Sequence, residues 1–136
     1  MTSGSAKVAD SWAVVAWIRK EGAAPLFRQF LLDAEAGEHT LLMSWYNVGE
    51  TFYSVAKRSN LQIAEEFMVR LPSLPIRIVL PNEDEIMAAA RIKAKHALAF
   101  GDAFAIALAQ SHQASVITGD NEIRRCGIVP VDWIGA

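Results

Sequence analysis

Cysteine is almost missing from this chain. Cys126 is the only one in 136 residues, so no disulfide can form within it, which suits a reducing compartment such as the cytoplasm. Histidine is sparse as well. His39, His96 and His112 stand far apart and beside no cysteine pair, which argues against a structural zinc site. No apolar run approaches the ~18 residues of a membrane span. The opening Met1-Thr-Ser-Gly-Ser-Ala6 has neither the basic start nor the apolar stretch of a secretory signal. Residues 1–6 read instead as a flexible leader, and residues 7–136 as one domain. With 5 Pro and 8 Gly against 52% hydrophobic residues, the composition excludes a largely disordered or collagen-like chain. Neither sign of charge dominates. The 13 Lys and Arg against 15 Asp and Glu give −2, so there is no basic coat and no acidic tail.

What is present is an alternation of short strand patterns with helical ones. Lys7–Asp10 reads as a strand ending at a carboxylate, and Ser11–Lys20 as a helix capped by Asp10 or Ser11. Ala24–Ala36 is a second helix with Pro25 in its first turn, stopped by Gly37. Thr40–Met43 is a strand. A third helix starts at Ser44 or Asn47 and reaches about Arg58, and Leu61–Leu71 is a fourth. Ile76–Leu80 is a strand, and Asn82 with Glu85 has the spacing of a capping box for a helix reaching about His96. Asp102–Gln113 is apolar on nearly every face, the mark of a buried helix. Ser115–Thr118 is a strand broken by Gly119-Asp120, and Gly127–Pro130 a weak last strand. This alternation predicts an α/β fold with a parallel sheet covered by helices on both faces. Such sheets carry their sites at the carboxyl ends of the strands.

Four acids fall at these junctions. Asp10 ends the first strand, Glu50 follows the second, Asp102 opens the buried helix and Asp120 follows the strand at Val116–Thr118. Strand-to-helix junctions of a right-handed βαβ sheet share one edge, so Asp10, Glu50 and Asp120 can meet there. Asp102 joins them if its helix starts at the same edge. Each acid also has a purely structural reading: Asp10 as a helix cap, Glu50 as the far half of a capping box with Asn47, Asp102 as a helix-dipole partner, and Asp120 as a turn residue. Meeting together they would repel, by roughly 4 kcal/mol per pair at 4 Å and an effective dielectric near 20. A divalent cation relieves that repulsion, and oxygen ligands without cysteine or clustered histidine point to Mg²⁺ or Mn²⁺. Setting the four aside leaves the remaining chain mildly positive, which suits a polyanionic substrate.

Four segments, Val8-Ala-Asp-Ser-Trp-Ala13, Asn47-Val-Gly-Glu50, Phe100-Gly-Asp-Ala-Phe-Ala-Ile-Ala-Leu-Ala109 and Val116-Ile-Thr-Gly-Asp120, resemble in order and spacing those of PIN-domain nucleases, most of all the VapC toxins of bacterial toxin–antitoxin pairs. The resemblance covers roughly Lys7 to Ile134. It implies a three-layer α/β/α sandwich with strand order 3-2-1-4-5. It also implies catalytic, metal-holding roles for Asp10, Glu50, Asp102 and Asp120, with Mg²⁺ or Mn²⁺ as the metal. Ser11 and Thr118 match positions expected to stand beside the acids. Ala9 before the first aspartate is smaller than the family's usual aliphatic, and Trp45-Tyr46 is bulky beside the expected cleft mouth.

The implied reaction is hydrolysis of RNA phosphodiester bonds by an endoribonuclease. Arg91, Lys95, Arg124 and Arg125 are candidate RNA contacts, Arg91 and Lys95 sharing a helix face. His96 is a weaker catalytic candidate, and the four tryptophans are expected in the core. The resemblance further implies a homodimer and a small antitoxin partner, for which Phe52, Tyr53, Val55, Phe67 and Met68 are candidate surfaces. Two other readings stand beside it. A phosphoacceptor or phosphatase-like domain would use Asp10 as a nucleophile. A non-catalytic PIN-like binding module would keep the scaffold alone.

Overall fold

The computed structural model describes residues 5–136. Five short strands, β1 (Ala6–Ala9), β2 (Thr40–Ser44), β3 (Arg77–Val79), β4 (Ser115–Thr118) and β5 (Val131–Trp133), form one sheet. Every neighbouring pair is parallel, in the order β3-β2-β1-β4-β5. Parallel neighbours need long crossovers, and helices supply them. α1 (Ser11–Ile18) and α2 (Ala24–Glu35) follow β1, α3 (Trp45–Arg58) and α4 (Leu61–Arg70) follow β2, α5 (Glu83–Lys95) and α6 (Phe100–Ser111) follow β3, and α7 (Asn121–Cys126) follows β4.

The two-residue period of the strands sorts the core into two halves. Val8, Leu42 and Val116 face α5, α6 and α7, meeting Ile92, Phe104, Leu108 and Ile123. Ala9, Leu41, Met43 and Ile117 face the other way, against Val14, Phe27, Leu31, Val48 and Phe67 of α1 to α4. The result is the expected three-layer sandwich. Residues Gly101 to Ala109 of α6 are all buried, and its alanines let the helix lie close against its neighbours. A smaller cluster of Val15, Val55 and Ala64 ties α1, α3 and α4 together.

Several expectations shift. Of the leader, residues 1–4 lie outside the described residues, and Ala6 already pairs with Thr40 in the sheet. The last strand is Val131–Trp133 rather than Gly127–Pro130. Gly127 closes α7 at φ 71°, and Pro130, which has no N–H to give a ladder, contributes only its carbonyl, which accepts from Val116 N at 2.9 Å. Trp45 is not core but 42% exposed. Val55 and Phe67 are core and offer no partner surface, whereas Tyr53 is 64% exposed. Among the described residues no helix is long and apolar enough to cross a membrane.

Strand order decides where a site can form. From β1 the chain steps to β2 and β3 on one side, then to β4 and β5 on the other. The carboxyl ends of β1 and β4 therefore bound the crevice where α/β sheets bind ligands.

Candidate metal centre at the sheet edge

Asp10 stands at this crevice and is only 2% exposed. It caps α1 through Oδ1, which accepts from Ala13 N at 2.9 Å. Its Oδ2 accepts from the Thr118 hydroxyl. Thr118, at the end of β4, is fully buried, and its Oγ1 also accepts from Asp120 N at 2.9 Å. One hydroxyl thus joins the ends of β1 and β4 and sets Asp10 against Asp120. Asp120 in turn caps α7 by accepting from Glu122 N at 2.8 Å.

Glu50 reaches the same edge from α3. That helix is capped by Ser44, which accepts from Tyr46 N at 3.2 Å, so Asn47 and Glu50 form no capping box. Both lie within the helix, one turn apart. Ser11 Oγ donates to Glu50 Oε1 at 3.1 Å and Asn47 Nδ2 donates to the same oxygen at 2.9 Å. Asn47 Nδ2 also donates to Gly101 O at 3.0 Å, which ties α3 to the start of α6. The fit is close. A Cβ on Gly101 would lie 2.0 Å from both Glu50 carboxylate oxygens, so only glycine leaves room for this carboxylate.

Asp102 sits in the first turn of α6, two residues inside a helix that begins at Phe100. It is 9% exposed, and its buried Oδ2 has no hydrogen-bond partner among the described residues. Oxygens of Asp102, Asp120 and Glu122 all lie within 4.8 Å of one another. Glu122 was not anticipated from the sequence. The one signal for it is an acid two residues beyond Asp120, at the start of a six-residue helix too short to stand out by periodicity.

Electrostatics join the group. Burial pushes the Asp10 carboxyl up to about 7, with Asp120 and Glu50 adding to the rise and the bonds from Thr118 and Ala13 opposing it. Burial likewise pushes Asp102 up to about 8, reinforced by Asp120, Asp10 and Glu122. The structure therefore brings Asp10, Glu50, Asp102 and Asp120 to one edge and adds Glu122. Among the described residues no Lys or Arg pairs with any of the five. An orphaned buried oxygen, close like charges and an all-oxygen donor set fit a divalent cation.

The basic candidates divide. Arg124 lies with its guanidinium 3.8 Å from the centre of the Trp133 ring and donates to Asn121 Oδ1 at 2.6 Å. Arg125 Nε donates to Asn121 O at 3.3 Å. Arg91 and Lys95 are exposed on α5.

A parallel sheet in this order, with acids at its switch point, matches a known family. The PIN domain family matches residues 7–129, and the chain belongs to it. No curated protein sequence matches significantly. Among solved structures, the chain is similar to VapC20 of Mycobacterium tuberculosis, a toxin that cleaves the sarcin–ricin loop, at TM-score 0.75 and 16% identity over 90% of this chain and 96% of that one. It is similar to DNA-bound VapBC from Salmonella typhimurium at TM-score 0.73 and 14% identity, covering 96% of this chain and 98% of that one. A toxin–antitoxin complex from Klebsiella pneumoniae matches at TM-score 0.67 and 19% identity, over 94% and 97%.

Proposed function

We propose that this protein is a metal-dependent endoribonuclease, the toxin of a toxin–antitoxin pair acting in the cytoplasm. The observation that carries the reading is the uncompensated carboxylate group at the switch point, above all the orphaned Oδ2 of buried Asp102. Mg²⁺ or Mn²⁺ would be held by Asp102, Asp120 and Glu122, with Asp10 and Glu50 beside them. When bound, the metal supplies an acidified water and neutralises charge on the phosphate.

The chain's own residues do the positioning. Thr118 fixes the rotamer of Asp10, while Ser11 and Asn47 together fix that of Glu50. Such held carboxylates meet a developing charge without first reorganising. A covalent phosphoacceptor role fits Asp10 poorly, because both its oxygens already accept hydrogen bonds from buried partners. The partner reading rests on the similar VapBC complexes. Exposed Tyr53, Leu61 and Val69 on α3 and α4 supply apolar area for an antitoxin or for a second copy in a homodimer.

The test compares wild type, Asp10→Asn and Asp102→Asn on a mixed single-stranded RNA pool with Mg²⁺, Mn²⁺ or EDTA. Metal-dependent cleavage by wild type that falls at least a hundredfold in both variants supports the proposal. Equal cleavage by variants and wild type, or none by wild type in either metal, overturns it, and the latter favours a non-catalytic binding module.

A further inference from the structure

A cleft of about 310 Å³ opens beside the acids, between the α5–α6 connection and α7, lined by His96, Ala97, Leu98, Glu122, Arg125 and Cys126. We propose that it is the subsite for the nucleotide adjacent to the scissile phosphate, with Arg125 gripping that nucleotide's phosphate and the His96 ring facing its base. This deepens the endoribonuclease reading and rests on it.

Three observations carry it. First, the cleft and the acid group share a wall. Glu122 lines the cleft and lies within 4.8 Å, oxygen to oxygen, of Asp102 and Asp120. A chain bound with one phosphate at the acids has this space within reach of a neighbouring nucleotide.

Second, the volume is at the low end of small-ligand sites, which run from about 300 to 1,000 Å³. It suits one nucleoside.

Third, the two adjacent arginines of α7 have been given different work. Arg124 is turned onto Trp133 and bonded to Asn121. Arg125 is held only through Nε, to the carbonyl of Asn121. Its terminal nitrogens make no hydrogen bond among the described residues, and Arg125 lines the cleft. That leaves the planar fork suited to phosphate available. Among the lining residues Arg125 is the one permanent cation and Glu122 the only carboxylate. The anion is thus drawn to the Arg125 side and the base is left the His96 side.

The experiment uses the full chain and a short single-stranded RNA. In an Asp102→Asn background, which separates binding from cleavage, Kd is measured by fluorescence anisotropy over a range of salt. Arg125→Ala is expected to weaken binding roughly tenfold and to lower the slope of log K against log [salt] by about 0.7, the share of one single-strand phosphate. Arg125→Lys should restore the slope but only part of the affinity. With active protein, His96→Ala should change the base preference at one position next to the cut, with KM rising more than kcat falls. Unchanged melting temperatures establish that α7 is intact. If wild type cleaves RNA but Arg125→Ala keeps the parent Kd and slope and His96→Ala keeps the parent base preference, the subsite is wrong and the nuclease reading stands. If wild type cleaves no RNA, both fall together.

Discussion

Strands β1 and β4 carry a polar cluster at each end, and the two clusters are built on opposite principles. Near the strand starts, Lys7 Nζ reaches Asp132 Oδ2 at 2.9 Å, Ser115 Oγ donates to the same oxygen, and the ammonium lies 5.6 Å from the centre of the Phe30 ring. The one carboxylate there has its cation. At the strand ends, Asp10, Glu50, Asp102, Asp120 and Glu122 gather with hydroxyls, amides and backbone N–H groups as partners and no Lys or Arg among the described residues. The first arrangement is a finished structural contact. In the second, charge is assembled and left unbalanced, which lowers stability unless something outside the chain balances it.

The largest expected effect separates the two ends by pH. Asp10 and Asp102 are raised above the ordinary aspartate value of 3.8, to about 7 and about 8. The folded state therefore keeps protons that the unfolded state has lost. Stability is unaffected below pH 3.8 and falls as pH rises toward 8, by on the order of 4 kcal/mol for Asp10 alone at 1.36 kcal/mol per pKa unit. Denaturant melts in EDTA between pH 4 and 8 should show this decline. Asp102→Asn should remove the Asp102 share of the decline and leave that of Asp10, so that a variant without activity is the more stable protein at pH 8.

Next comes the seat of Glu50. Gly101→Ala places a methyl carbon 2.0 Å from both carboxylate oxygens and must displace them. A misplacement near 1 Å costs about a hundredfold in rate, and initial rates of RNA cleavage should fall by that order.

The smallest effect is at the finished end. Lys7→Met removes the cation of a pair whose side chains are 20% and 28% exposed. It should cost about 1–2 kcal/mol in a urea melt and leave cleavage unchanged. A loss of cleavage there would mean that the two ends are coupled and the contrast is false.

The sequence made the unbalanced end legible for a simple reason. Asp10 and Asp120 adjoin strands whose apolar pattern is plain and Glu50 follows another, so topology alone puts these three at one edge, whereas Asp102 joins them because α6 starts there. What it could not show depends on distance across the fold. Asn47 looked like a cap, and its bonds to Glu50 and Gly101 O exist only because α3 and α6 meet. Glu122 sits on a six-residue helix, too short for its period to show beside the turn signal of Asp120. The balanced end was invisible for the same reason, since Lys7, Ser115 and Asp132 are far apart in sequence and meet through the register Lys7↔Ser115 and Ile117↔Asp132.

On the proposed function, the carboxylates at the strand ends hold a divalent cation. The most direct measurement is the melting temperature at pH 7.5 with and without millimolar Mn²⁺, for wild type, Asp102→Asn and Lys7→Met. Ligand binding to the native state alone raises stability, so Mn²⁺ should raise the transition of wild type and Lys7→Met by several degrees and leave that of Asp102→Asn unmoved. An equal shift in all three proteins, or none in wild type, would contradict it.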